Sequence, residues 1–267
     1  MELAQEVRDL FAEEMAAKFL ATVDPEGKPN VALIVTLQPP PDGREDRLIF
    51  GEFLMWQSKE NLERDARVAA AVVNTKLRMA TLTGDFRGFE ETGPYKEFID
   101  ASSFMRYNAY SGVRAAGVID VREAYPMRSA SMLGVPVDFL RVRMHRAGDG
   151  DGGVAMPRMV KEKFVKLTSV KALAVMGDDG YPRIHPVMAT APAGDKGFVL
   201  KITSYNRELA DVEVPCEAAL CVVTFDVKSY KVKGELSALG YNSLLFKVKE
   251  VYNAMPPLAG DLIAPTK

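Results

Sequence analysis

The chain contains a long internal repeat. Laying residues 7–31 over residues 160–184, an offset of 153, pairs Val7, Phe11, Lys18, Leu20, Ala21, Gly27 and Pro29 with Val160, Phe164, Lys171, Leu173, Ala174, Gly180 and Pro182. That is seven identities in 25 ungapped positions, where average composition gives about one or two by chance. At an offset of 150, Glu63, Ala69, Val72, Val73 and Gly84 recur as Glu213, Ala219, Val222, Val223 and Gly234. A third block, Val121-Arg-Glu-Ala-Tyr125, returns as Val248-Lys-Glu-Val-Tyr252. Gly84 to Val121 spans 37 residues and Gly234 to Val248 spans 14, so the first copy carries 23 extra residues before its last strand. The period is too long for a solenoid. It points to two copies of one domain, 1–147 and 154–267, with a helical insertion near 87–115 in the first. The junction is Gly148-Asp-Gly-Asp-Gly-Gly153, a flexible polar linker. This string also satisfies GxGxxG, but Asp149 and Asp151 would repel a pyrophosphate, and no acidic residue follows about 20 positions on.

Each copy reads as a helix followed by short strands. In the first, Leu3, Val7, Leu10, Phe11 and Met15 share a helical face. Phe19-Leu-Ala-Thr-Val23 is a strand, Asp24-Pro-Glu-Gly27 a turn, and 31–37 the returning strand of a hairpin. Further strands are predicted at 47–50, 68–74, 79–86 and 118–125, with a short helix at 58–65 that Ser58 could cap. The second copy predicts a helix from Pro157, a hairpin at Gly177-Asp-Asp-Gly180, and strands at 198–202, 219–224, 230–236 and 245–252. Six short strands with closely spaced turns suit a small barrel, although a sandwich gives a similar strand list. Within the insertion, 94–105 reads as a helix with Tyr95, Phe98 and Ile99 on one face. The aromatic segment Met105-Arg-Tyr-Asn-Ala-Tyr110 after it would cover a barrel end or close over a planar ligand.

Composition excludes several classes of function. There are 34 Lys plus Arg against 36 Asp plus Glu, a net charge of -2. A nucleic-acid surface usually shows as a basic excess. No apolar run reaches the roughly 18 to 20 residues of a membrane span. Residues 1–18 carry four Glu and read as an amphipathic helix rather than a signal peptide, so a cytoplasmic location is expected. The only cysteines are Cys216 and Cys221, and the only histidines His145 and His185. Neither set makes a structural zinc site or a disulfide framework, and no nucleophile elbow or Walker A loop is present.

Phe19-Leu-Ala-Thr-Val-Asp-Pro-Glu-Gly-Lys-Pro-Asn30, Phe50-Gly51, Ser58-Lys-Glu-Asn-Leu-Glu-Arg-Asp-Ala-Arg-Val68 and Thr83-Gly84 together resemble the pyridoxamine 5'-phosphate oxidase-like flavin-binding split barrels. The second copy's Leu173-Ala-Val-Met-Gly-Asp-Asp-Gly-Tyr-Pro-Arg-Ile-His-Pro186 is similar. The resemblance implies a mainly β fold with short helices: two tandem six-stranded split β-barrels forming an intrachain pseudo-dimer. Such proteins are typically homodimers with FMN across the interface. Here one chain would carry both halves, its own barrels would meet without a second chain, and a monomer is expected.

The resemblance also assigns candidate cofactor contacts. Those for the FMN phosphate are Trp56, Gln57 and Ser58 in the first copy, and Thr203, Ser204, Asn206 and Arg207 in the second. His185 and Arg183 on a hairpin strand, with Arg78 and Lys228 on the fifth strands, complete the set. Neither copy holds the full complement. One FMN site or none is expected, with the second copy favoured because Arg207 offers a charge-assisted bond where Gln57 offers a neutral one. The implied activity is that of an FMN-dependent oxidoreductase of unidentified substrate. The alternatives are a deazaflavin-dependent reductase, a non-catalytic flavin or nucleotide binder, and a structural module. The tail Asp261-Leu-Ile-Ala-Pro265 lacks the arginines of true pyridoxamine phosphate oxidases. No residue in the sequence stands out as a catalytic acid or base.

Overall fold

In a computed structural model, residues 1–102, 112–144, 152–255 and 258–265 are described. The first half runs α1 (Gln5–Ala12), β1 (Ala17–Val23), β2 (Pro29–Leu33), β3 (Arg47–Gly51), α2 (Trp56–Arg64), β4 (Arg67–Val73), β5 (Arg78–Glu90), α3 (Pro94–Asp100), β6 (Ala116–Ala124), β7 (Arg128–Ser129) and α4 (Gly134–Arg143). The second half runs α5 (Arg158–Phe164), β8 (Val170–Met176), β9 (Pro182–Val187), β10 (Thr190–Ala193), β11 (Gly197–Lys201), a 3-10 turn (Arg207–Ala210), β12 (Cys216–Val223), β13 (Ser229–Ala238), β14 (Ser243–Asn253) and β15 (Leu262–Ala264).

The two sheets have the order β2-β1-β4-β5-β6-β3 and β10-β11-β14-β13-β12-β8-β9, with β7 added to β5 and β15 to β14. Both curl shut through one strand that serves two edges. In the second half, β9 pairs with β8, and β10, reached after only Met188 and Ala189, pairs with β11 at the opposite edge. In the first half, β2 pairs with β1, while Gln38 exchanges both backbone hydrogen bonds with Ile49 of β3 (2.9 and 2.8 Å). The chain is mainly β with short helices: two split barrels in tandem.

The ladders reproduce the sequence repeat residue by residue. Ala21 faces Ala69 as Ala174 faces Ala219, offsets of 153 and 150. Gly84 faces Val121 as Gly234 faces Val248, and both pairs follow a bulge. A Cβ at Gly234 would lie 1.9 Å from the Lys247 carbonyl oxygen, and one at Gly84 2.6 Å from that of Asp120. These two glycines let the strand backbones meet. The predicted hairpin turn holds: Asp24 Oδ1 accepts from the amides of Glu26 (3.0 Å) and Lys28 (2.9 Å), and Gly27 takes φ +77°. Gly180 repeats that angle at +78°.

Each barrel has its own apolar core. Leu20, Val68, Ala70 and Val72 fill the first, and Leu173, Val175, Leu220 and Val222 the second. The alternate residues of the same strands turn outward and meet across the junction. Phe19, Ala21, Ala69 and Ala71 pack with Ala172, Ala174, Ala219 and Cys221 in one shared cluster. These strands are buried on both faces, so they read as continuous apolar runs rather than as alternation. Small side chains on the outer face let the two sheets approach closely. Hydrogen bonds rim this contact: Arg67 donates to the Gly180 carbonyl (2.7 Å), Arg122 to the Tyr181 hydroxyl (3.0 Å), and that hydroxyl to Asp85 (2.7 Å).

Helix α2 begins at Trp56, so Ser58 lies inside it, buried, instead of capping it at the outset. Helix α3 ends at Asp100, short of the predicted 105. Residues 103–111 and 145–151 lie outside the described residues. They include the Met105 to Tyr110 segment, His145 and most of the expected linker.

Buried lysines give the fold a pH dependence. Lys171 is fully buried, with Nζ donating to the Lys166 carbonyl (3.3 Å) and Ser169 Oγ (3.1 Å). Burial lowers it to about 7. Between there and its ordinary value the unfolded chain binds a proton that the folded chain does not, so stability rises with pH. The expected gain from pH 7 to 9 is about 2 kcal/mol from this residue, and Lys18, lowered to about 8 by burial, adds to it. Above pH 9 the trend is opposed by Cys221, whose thiol burial pushes up to about 11. Urea midpoints at pH 7 and 9 test this, and Lys171→Met should shrink the difference. A midpoint that falls between those pH values would contradict the assignment.

Candidate functional site

Two cavities lie where the barrels meet, at positions related by the repeat. One is open, about 650 Å3, within the range of small-molecule sites. The other is about 60 Å3, room for no more than a few waters.

The open cavity takes one wall from each barrel. The second barrel gives Arg183 and His185 from β9, with Tyr205, Asn206 and Glu208 around the 3-10 turn. The first gives residues 79–82 of β5, with Tyr125, Pro126 and Arg128 beyond β6. Arg183 and His185 of β9 line the cavity, and Ile184 between them also packs into the barrel junction.

The electrostatics of this wall are specific. Arg183 donates through Nη2 to Asp179 (3.0 Å) and its guanidinium sits 5.6 Å from the Tyr125 ring centre. Its Nη1 is buried and, among the described residues, has no hydrogen-bond partner. A buried donor left unmatched is costly, and a bound acceptor would relieve it. His185 is driven down to about 4 by burial, then by Arg183 and Arg128, so its ring is neutral at pH 7. Such a ring offers one donor and one acceptor. Tyr125 is raised to about 12 by burial and by its bond to Glu123 (2.8 Å), and stays a phenol. Arg128 is tied into an ion pair with Glu208.

Asn206 lines the cavity, but its amide is committed: Oδ1 accepts from the Thr203 amide (2.7 Å) and hydroxyl (2.9 Å), and Nδ2 donates to the Pro186 carbonyl (3.2 Å). Thr203 and Asn206 therefore shape the turn. Ser204 is exposed. The Arg207 side chain is 77% exposed and does not line the cavity. Lys228 sits in the β12–β13 turn beside Asp226 (3.7 Å), and Arg78 near Glu6 (3.5 Å); neither lines a cavity. Tyr125, Arg128, Tyr205 and Thr81 were not anticipated. Three of the four come from segments that approach only once the chain has folded.

Trp56, Gln57 and Ser58 line the small cavity, with Ala32 from β2 and Lys231 from β13. Lys231 donates through Nζ to Asn30 Oδ1 (2.7 Å) and Gln57 Oε1 (2.5 Å), and lies 4.8 Å from the Tyr252 ring centre. Gln57 also donates to the Gly260 carbonyl (3.4 Å). Ser58 Oγ accepts from Asn30 Nδ2 (3.3 Å). Trp56 is half-exposed under the Arg114 guanidinium, 4.2 Å from its ring centre.

No protein-family model matches the chain, and no curated protein does. Solved structures with similar folds include HupZ of Group A Streptococcus (21% identity, 48% of this chain and 99% of that one, TM-score 0.38). Others are an FMN-binding protein of Syntrophomonas wolfei (17%, 46% and 84%, 0.39) and a candidate pyridoxamine 5'-phosphate oxidase of Lactobacillus delbrueckii (20%, 47% and 94%, 0.37). Each is matched over most of its own length by about half of this chain. The chain is thus a tandem pair of split β-barrels with one large and one small cavity at their junction.

Proposed function

We propose that the chain is a flavin-dependent oxidoreductase that binds one flavin per molecule in the open cavity between its barrels. The observation that carries this reading is the cavity itself: large, walled by both barrels, and lined by Arg183 and His185. The residues fit the ring of such a cofactor. Leu82, Val175, Pro186 and the Tyr125 edge offer apolar surface, Arg183 a guanidinium charge on the wall, and His185 a neutral donor and acceptor. A flavin bound there supplies hydride acceptance and donation. The protein's part is to orient the ring and to hold water away from one side of it.

The phosphate tail finds less. Arg128 and Arg183 are each engaged by a carboxylate, and Arg207 lies outside the wall. Recognition therefore rests on the ring. Arg207→Ala is expected to change FMN affinity by less than about twofold, reversing the expectation drawn from charge alone. Arg183→Met should weaken it about 10- to 100-fold, the worth of one hydrogen bond to a charged donor. Isothermal titration of both variants checks this, and a larger loss for Arg207→Ala would place the tail contact back at the 3-10 turn.

The decisive experiment is the visible spectrum of the purified protein, followed by FMN, riboflavin and deazaflavin titrations. One flavin bound per chain and reduced by a nicotinamide cofactor is the expected result. Binding without reduction would make the chain a carrier, and failure to bind any of the three would overturn the reading.

A further inference from the structure

The small cavity is the repeat-related counterpart of the open one. The offsets that align the barrels carry Thr81 onto Lys231, Asn206 onto Trp56, Arg183 onto Asn30 and His185 onto Ala32. Two of these changes, to Asn30 and Ala32, make the side chain smaller in the small cavity. The other two make it larger: Lys231 in place of Thr81 and Trp56 in place of Asn206.

Of the two larger groups, Lys231 is the one inside. Its residue is 5% exposed, whereas Trp56 is 46% exposed. Its ammonium crosses from the second barrel to two amide oxygens of the first, at Asn30 and Gln57, with the Tyr252 ring beside it. Among the described residues it has no ion-pair partner within 4 Å, so amide dipoles and an aromatic face are its main compensation. Burial, then the nearby charge of Lys233, lowers its pKa to about 7 against the opposing pull of Glu250 and Asp24. In the open cavity Thr81 is too short to make this crossing, and the barrels are bridged there at the rim by the Arg128–Glu208 ion pair instead.

We propose that the chain holds a second, latent binding site for the same class of planar heteroaromatic ligand, and that Lys231 fills it as a built-in occupant. Lys231 thereby sets the stoichiometry at one ligand per chain. This rests on the reading of the open cavity as a flavin site.

The test is a count of ligand bound at saturation, using riboflavin and FMN on the full chain. Wild type is expected to bind one. Lys231→Thr combined with Trp56→Asn removes the two larger groups, giving the small cavity its counterpart's residues at those two positions, and is expected to bind two. Lys231→Met keeps the length without the charge and should stay at one. If wild type binds none, the flavin reading fails, and the latent site with it. If wild type binds one and the folded double variant still binds one, the latent site alone is overturned. Should the double variant fail to fold, Lys231→Thr alone is measured. One ligand bound by that folded variant, or its own failure to fold, would make Lys231 part of the core and overturn the proposal.

Discussion

Ala174→Asp is expected to leave little folded protein at physiological temperature. Ala174 is fully buried on the outward face of β8 and packs into the cluster shared by both barrels. Its neighbours there are apolar: Phe19, Ala21, Ala219 and Ile184 among them. A carboxylate at this point would lose water on all sides and gain no partner. Leaving one uncompensated buried charge costs about 3–5 kcal/mol, comparable to much of the stability of an ordinary domain. The extra atoms also push apart two sheets that small residues hold close. Met15→Asp serves as the control, since Met15 is 79% exposed and a surface change there should stay within about 0.5 kcal/mol. Urea unfolding followed by circular dichroism reads both. A wild-type midpoint for Ala174→Asp would mean that the barrels do not share this face.

The largest expected effect on binding comes from Thr81→Trp. Thr81 is half-buried on β5, faces the open cavity and lies opposite the β9 wall. Its carbonyl accepts from the Tyr125 amide (3.0 Å), and that bond survives a change of side chain. An indole there would occupy the space assigned to the flavin ring. Affinity should fall at least about 100-fold, which is close to 3 kcal/mol. Stability should change little, because the new ring enters a cavity and not a packed core. Fluorescence titration with riboflavin reads the first, and thermal melting the second. Undiminished binding by a folded Thr81→Trp protein would move the ligand out of this cavity.

Much of the fold was legible because the repeat equates the strands of one half with those of the other. Identities at offsets of 153 and 150 equate Ala21 with Ala174 and Ala69 with Ala219, and the structure then pairs the two members within each copy in the same way. Barrel closure was not legible. It depends on one strand changing partners at Met188 and Ala189, and neither residue carries a turn signal. Helix α4 went unread, although Val135, Phe139 and Val142 have helical spacing and are its buried face. The candidate site divides in the same way. Arg183 and His185 line the open cavity and lie on a strand of the predicted hairpin. Arg207 could not be judged from sequence, since a side chain on a single 3-10 turn can point either way. Lys231 gave no signal at all. Its partners are 201 and 174 positions away, and a lysine in a strand otherwise reads as a solvent-facing charge.

Fusing the barrels also separates their inheritance. In a dimer of identical chains, each position appears in both cavities, so a lysine that blocks one blocks the other. Here positions 81 and 231 are independent, and one holds Thr while the other holds Lys. A substitution that would empty a symmetric dimer of ligand costs this molecule only one of its two cavities. The spared cavity can keep its role while the other becomes a cross-barrel fastening, a division of labour closed to a dimer of identical chains.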